Sequence, residues 1–227
     1  MQQFNYKCFK KALTIDDVTD QLYNLDNELI GTDLDSLIAF NHTYLIITNT
    51  VHKRLHTHFF ANDKLMDKID TCFGNYYFNA LNKYIHGEDC ALAWKITFDS
   101  CKAKTSYGFI YMALGVNAHV NNDLPQTLYD SMDEDHYEDY EKINDLINDS
   151  IPLVVKELHE QSTFLHTCER AGLPTYHFIL HTIIRRWRGD AWKSYIKLRE
   201  NKLSHKDIEL VAAKKGRVLA NLKNWQA

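Results

Sequence analysis

The chain has 227 residues, 45% of them apolar, and a formal net charge of −4. That is enough apolar material for a real core and enough length for one large domain or two small ones. Three prolines and eight glycines argue against a turn-rich all-β protein. No run approaches the roughly 18 apolar residues of a membrane span, and no signal-like apolar core follows Met1. Cys8, Cys72, Cys90, Cys101 and Cys168 show no zinc-type spacing, so free thiols and a cytoplasmic location are expected.

Charge is unevenly spread. Residues 130–149 carry nine acidic groups against one lysine, while 185–223 carry twelve Lys/Arg against four Asp/Glu. This reads as two solvated helix faces of opposite sign, or as an anion-binding basic end. No nucleic-acid reader motif accompanies it.

Residues 1–13 read as an N-terminal arm. Thr14 with Asp17 makes a capping box that starts a helix ending near Ile30. Leu37, Phe40, Tyr44, Ile47, Val51 and Leu55 recur at helical spacing and predict one amphipathic helix over 35–58. His52 and His56 lie one turn apart on it, a spacing that suits a metal pair or surface histidines at a helix end. Asn62 caps the next helix, which runs to about Ile85 before Gly87. Asp70 falls inside its apolar stripe of Met66, Phe73, Tyr77, Ala80 and Tyr84. Either it pairs with a Tyr hydroxyl, Arg or His, or it joins a polar site. A shorter helix over 89–103 presents Leu92, Ile96 and Trp94.

The densest stretch is Leu114–Pro125. It reads as helical from Phe109 and stops at Pro125, which has no N–H to donate. Met112, Val116 and Val120 share one side, with His119 at its edge and Asp123 within it. His119 and Asp123 are one turn apart and can face a common point. A carboxylate aimed with core residues needs neutralising, hydrogen bonds or a cation. Asn117 and Asn121 flank the other edge and could orient water or substrate.

After the acidic stretch, a long helix is expected over 135–170, kinked or divided at Pro152, with His159 and His166 near its apolar face. Tyr176, Leu180, Ile183, Ile184 and Trp187 form the next face. His177 and His181, on its flank, could add two imidazoles to the core site or simply line a helix contact. Of Arg185, Arg186 and Arg188, one guanidinium could pair with Asp70 or Asp123. Gly189 permits a bend, and Ser204 with Asp207 caps a final basic helix. The whole is an all-α protein, a single multi-helix bundle.

Ordered landmarks carry a resemblance. They are Phe40-Asn41 with Tyr44 and Thr48, Phe73 with Tyr76-Tyr77-Phe78, Ala93-Trp94, Gly115 to Pro125, and Ala191-Trp192. They resemble an uncharacterised bacterial all-helical family, a domain of unknown function, which implies a fold but no activity. Leu114-Gly115, His119, Asp123 and Pro125 also look like the helix motif of zinc-dependent phospholipase C and P1-type nucleases. That likeness implies His119 and Asp123 as metal ligands, zinc foremost. The chain departs after Pro125, where Gln126-Thr127-Leu128 stands in place of that family's next His. The implied centre is then one or two metals.

Two readings follow. One is a metal-dependent hydrolase of a phosphoester or lipid ester, with His119, Asp123, His177 and His181 toward metal and Asp70, Asn117 and Asn121 toward water and substrate. The other is a non-enzymatic binding or interaction module, in which the same residues form a closed polar network that fixes helix register. A di-iron or haem bundle fits less well, since two Glu-x-x-His motifs are absent.

Overall fold

The structure is a computed structural model that describes residues 2–6, 9–104, 106, 108–132, 136–160 and 176–222, with the side chains of 157–160 and 176–180 excepted. It is all-α. In chain order come α1 (Ile15–Leu29), a 3-10 turn (Asp35–Leu37), α2 (Ile38–His52), α3 (Asp63–Ile85), α4 (Leu92–Ala103) and α5 (Gly108–Asn117). A π-helical turn (Ala118–Asp123) leads into α6 (Leu124–Ser131), followed by α7 (Tyr137–Glu160), α8 (Tyr176–Arg199) and α9 (His205–Asn221). One contiguous apolar core runs from Phe4 to Ala212. Among the described residues, no helix is long and apolar enough to cross a membrane.

The helix starts obey local chemistry. Both capping boxes form, Thr14 with Asp17 and Ser204 with Asp207, and Asn62 accepts from the Leu65 N–H. The N-terminal arm is irregular but docked. Phe4, Phe9 and Ala12 are buried, Phe4 N–H donates to Asp33 Oδ1, and the Asn75 amide brackets the Ala12 peptide in both directions.

Several expected boundaries move. The expected helix over 35–58 is cut to α2, because the chain turns after His52 and takes positive φ of 60° at both His56 and His58. His52 and His56 therefore share no helix face. His52 reaches Asp16 at 3.2 Å and His56 lies 3.8 Å from Asp63. On α4 the buried side is Ala93, Trp94, Phe98 and Cys101, with Leu92 and Ile96 only half-buried. Pro125 ends nothing. It occupies the first turn of α6, where its missing donor is not needed, and the wider i→i+5 turn before it carries the chain through. Pro152 lies inside α7, and α8 runs through Gly189 without a break. His159 and His166 lie outside the described side chains.

The central helix, formed by α5, the π turn and α6, sits unusually close to α2. A Cβ at Gly115 would lie 2.2 Å from Phe40 Cγ, so this position tolerates only glycine as the two helices are placed. That approach brings Phe40 and Tyr44 against the ring of His119, at centroid separations of 5.7 and 4.4 Å.

Candidate functional site

His119 is 2% exposed and held on all sides. Phe73 of α3 stacks on its ring at 3.4 Å between centroids, and Tyr44 meets it edge-on. Its Nδ1 lies 3.0 Å from Asp123 Oδ2. The π turn makes this pairing direct: it takes more residues per revolution than an α-helix, so positions four apart align more nearly one above the other. Asp123 is saturated. Trp94 Nε1–H donates to Oδ2 at 2.8 Å, and the Asn122 amide donates to Oδ1 at 2.7 Å. An acceptor with these neighbours fixes Nδ1 as the protonated nitrogen of the imidazole. Nε2 is then the lone-pair nitrogen, and among the described residues it has no hydrogen-bond partner.

His119 lines a cavity of about 70 Å³ between α2, α3, the central helix, α7 and α8. Most of the lining is apolar, including Ile47, Val51, Met66, Ile143, Ile147 and Ile184. Its polar members are Tyr44, Thr43, Thr48, Asp70, Tyr140 and Arg188 together with His119. Three of the lining groups hold buried atoms without a well-formed hydrogen bond among the described residues: His119 Nε2, Asp70 Oδ2 and Tyr44 Oη, the last with Thr48 as its near polar neighbour. Buried polar atoms are normally paired, so three on residues lining one cavity mark it out, while eight more unpartnered atoms, Tyr77 Oη and Asn122 Oδ1 among them, lie elsewhere among the described residues.

Electrostatics separate these groups. Burial pushes the Asp70 carboxyl up to about 7, against the pull of Arg188 and with a further push from Asp67. Burial also holds His119 below its ordinary value, although Asp123 pulls the other way, so the imidazole is neutral near pH 7. Burial and the neighbouring Asp70 raise the Tyr44 phenol, which keeps its proton. Arg188 is 5% exposed. Its Nε donates to Asn144 Oδ1 and its Nη2 to the Tyr140 carbonyl, while its guanidinium lies 4.2 Å from the Tyr140 ring centroid. Among the described residues no carboxylate reaches ion-pair distance of it, so Asp70 acts on it through space across the cavity.

The other candidates go elsewhere. Asn117 donates to the Ala212 carbonyl and accepts from Asn121, whose own oxygen takes the Lys215 ammonium at 2.6 Å. This chain faces α9, which approaches closely at Gly216, and neither asparagine lines the cavity. His181 is half-buried on α8 and does not line the cavity, and the side chain of His177 lies outside those described. Asp123 backs the imidazole rather than opening onto the cavity. Of the three arginines that sequence left open, Arg188 shares the cavity with Asp70 without forming an ion pair with it. Tyr44 and Trp94 escaped notice as polar groups because aromatic residues at stripe positions read as core; their hydroxyl and indole N–H were the available signal.

Residues 15–223 match the profile of a family of unknown function, DUF5995. The chain belongs to that family. No curated protein and no solved structure matches it. Within this DUF5995 chain the matched span contains every helix and the whole cavity lining. Among the described residues, no group of three or more His, Cys, Asp or Glu is arranged to hold a metal ion.

Proposed function

We propose that the cavity is the active site of a hydrolase that splits a small, largely apolar ester by acid–base chemistry. The observation that carries this reading is the unpartnered Nε2 of His119, a residue that lines the same cavity as Asp70, with Nδ1 tied to Asp123. In this arrangement Nε2 takes a proton from water as the water oxygen bonds to the acyl carbon. The ester C–O bond then breaks, and protonated Asp70 gives its proton to the departing alcohol. The imidazolium returns a proton to Asp70, and the net products are one acid and one alcohol. Asp123, held by Trp94 and Asn122, keeps the imidazole in the required tautomer. Arg188 supplies positive charge where the acyl oxygen becomes negative.

Zinc, expected from sequence, fits this donor set less well than water does. Among the described residues His119 Nε2 and Asp70 are two donors, whereas catalytic zinc sites use three, and the Arg188 guanidinium in the same cavity opposes a further cation. Asp123 would serve such an ion only by orienting His119.

A second reading, a structural polar network, is favoured by specific bonds elsewhere in the cluster. The Asp123–Trp94–Asn122 group and the Asn117–Asn121–Lys215 chain pin the central helix to α4 and α9. The test is hydrolysis of methyl formate, methyl acetate and methyl propionate, followed as acid release over the buffer rate, by wild type, His119→Gln and Asp70→Asn. Loss of about 100-fold or more in each variant is expected. Equal rates in wild type and His119→Gln would refute the acid–base role.

A further inference from the structure

We infer that the cavity is a receptor for short aliphatic monocarboxylates, with the carboxylate on Arg188 and the chain among Ile143, Ile147 and Ile184. The inference rests on the ester-hydrolase reading, whose acid product would be such a molecule, but its evidence is separate. A buried guanidinium needs a counter-charge. Two of the five Arg188 N–H groups are used, by Asn144 and the Tyr140 carbonyl. The remaining three have no acceptor among the described residues, and the residue as a whole is 5% exposed. Asp70 shares the cavity, yet its carboxyl is pushed up to about 7, so near neutrality it balances the arginine only in part.

The shape of the missing anion follows from the surroundings. One guanidinium matches one planar, two-oxygen monoanion. A phosphate dianion would bring a second charge that nothing else in the cavity offsets, and it would have to displace apolar lining. A volume of about 70 Å³ limits the guest to a few heavy atoms. Liquid water takes about 30 Å³ per molecule, so roughly two water volumes are available and the smallest aliphatic acids are the fitting size. Ile184 stands one helical turn before Arg188 on α8, and Ile143 and Ile147 follow Tyr140 on α7. An apolar tail therefore lies directly beside the charge. The unpartnered Tyr44 hydroxyl and Asp70 Oδ2 are further donors once both groups carry protons.

The experiment is a titration of protein labelled at isoleucine methyls with acetate and propionate, and with propionamide as the neutral isostere. Saturable shifts at Ile143, Ile147 and Ile184 are expected with the acids and none with the amide. Arg188→Gln should weaken propionate binding at least tenfold, with Arg188→Lys between. Ile184→Phe keeps the arginine, fills the cavity and should also abolish the shifts, which guards against a misfolded Arg188 variant. No saturable shift with any acid, or equal titration by propionamide, overturns the inference. Acid binding without ester turnover supports this receptor and sinks the hydrolase. His119-dependent turnover without acid binding does the reverse.

Discussion

Asp70→Asn isolates the least comfortable group in the core. Each pKa unit corresponds to about 1.4 kcal/mol, and a carboxyl moved from an ordinary value near 4 to about 7 resists ionisation by about 4 kcal/mol at most. Asp70 is half-buried as a residue, and solvent screening reduces this, so about 1–3 kcal/mol is the working figure. The sign is set by the raised value. Between about pH 4 and 7 the folded chain holds a proton that the unfolded chain has released, so this group's contribution is fullest below about 4 and is lost as pH rises to about 7. His119 runs oppositely. Its lowered value means its contribution is present above the unfolded pKa and is lost as pH falls through the folded one. Subtracting wild type from Asp70→Asn removes the common His119 part. Urea unfolding at pH 5 and pH 8 should show the variant more stable by about 1–3 kcal/mol at pH 8, with a smaller gain at pH 5. A variant that is less stable at pH 8, or one with the same difference at both pH values, refutes the burial argument. Stability gained together with ester turnover lost is the signature of a residue kept for chemistry.

Three further substitutions probe the frame. Gly115→Ala forces a methyl into the Phe40 ring and should cost about 3 kcal/mol or more, read as a drop in Tm of several degrees. Trp94→Phe removes one of the donors to Asp123 and should destabilise by about 1–3 kcal/mol. It should also raise the His119 pKa seen by NMR, because a less satisfied carboxylate attracts the imidazolium more strongly. Asp139→Asn weakens the buried acceptor that holds the Ala61 and Asn62 N–H groups and the Lys142 ammonium, at a cost of about 1–3 kcal/mol. Burial notwithstanding, these partners keep Asp139 below its ordinary value, so wild type loses that support as pH falls below about 4, and the variant should not.

What could be read from the chain was whatever period and capping encode. Helix starts at Thr14, Asn62 and Ser204 were legible because each cap is a bond within four residues. Asp70 and Asp123 stood out because a carboxyl on an apolar stripe breaks a local pattern. Helix ends were less legible. Pro125 signals a stop only if the preceding turn is α-helical, and a π turn removes that condition. His56 and His58 give no local sign of positive φ. The division of labour among the polar residues was not legible at all. Asn117 and Asn121 sit one turn apart beside His119, yet α9, nearly a hundred residues later, decides that they turn away from it.

That division also weighs the two functional readings against each other. A network kept only to fix helix register should close upon itself, because each buried polar atom left unpaired costs about 1–3 kcal/mol. Asp123 meets this demand, as do Asn117 and the amide of Asn121, whereas the Asn122 oxygen in the same cluster does not. His119 Nε2, Tyr44 Oη and Asp70 Oδ2 do not, and all three residues face the same space as Arg188. Together they forfeit a large part of the 5–15 kcal/mol or so that a typical fold has in reserve. An apolar residue of similar shape at Asp70 would remove the penalty without disturbing the packing. Register therefore accounts for most of the cluster behind His119, and the proposed guest would account for the half in front of it.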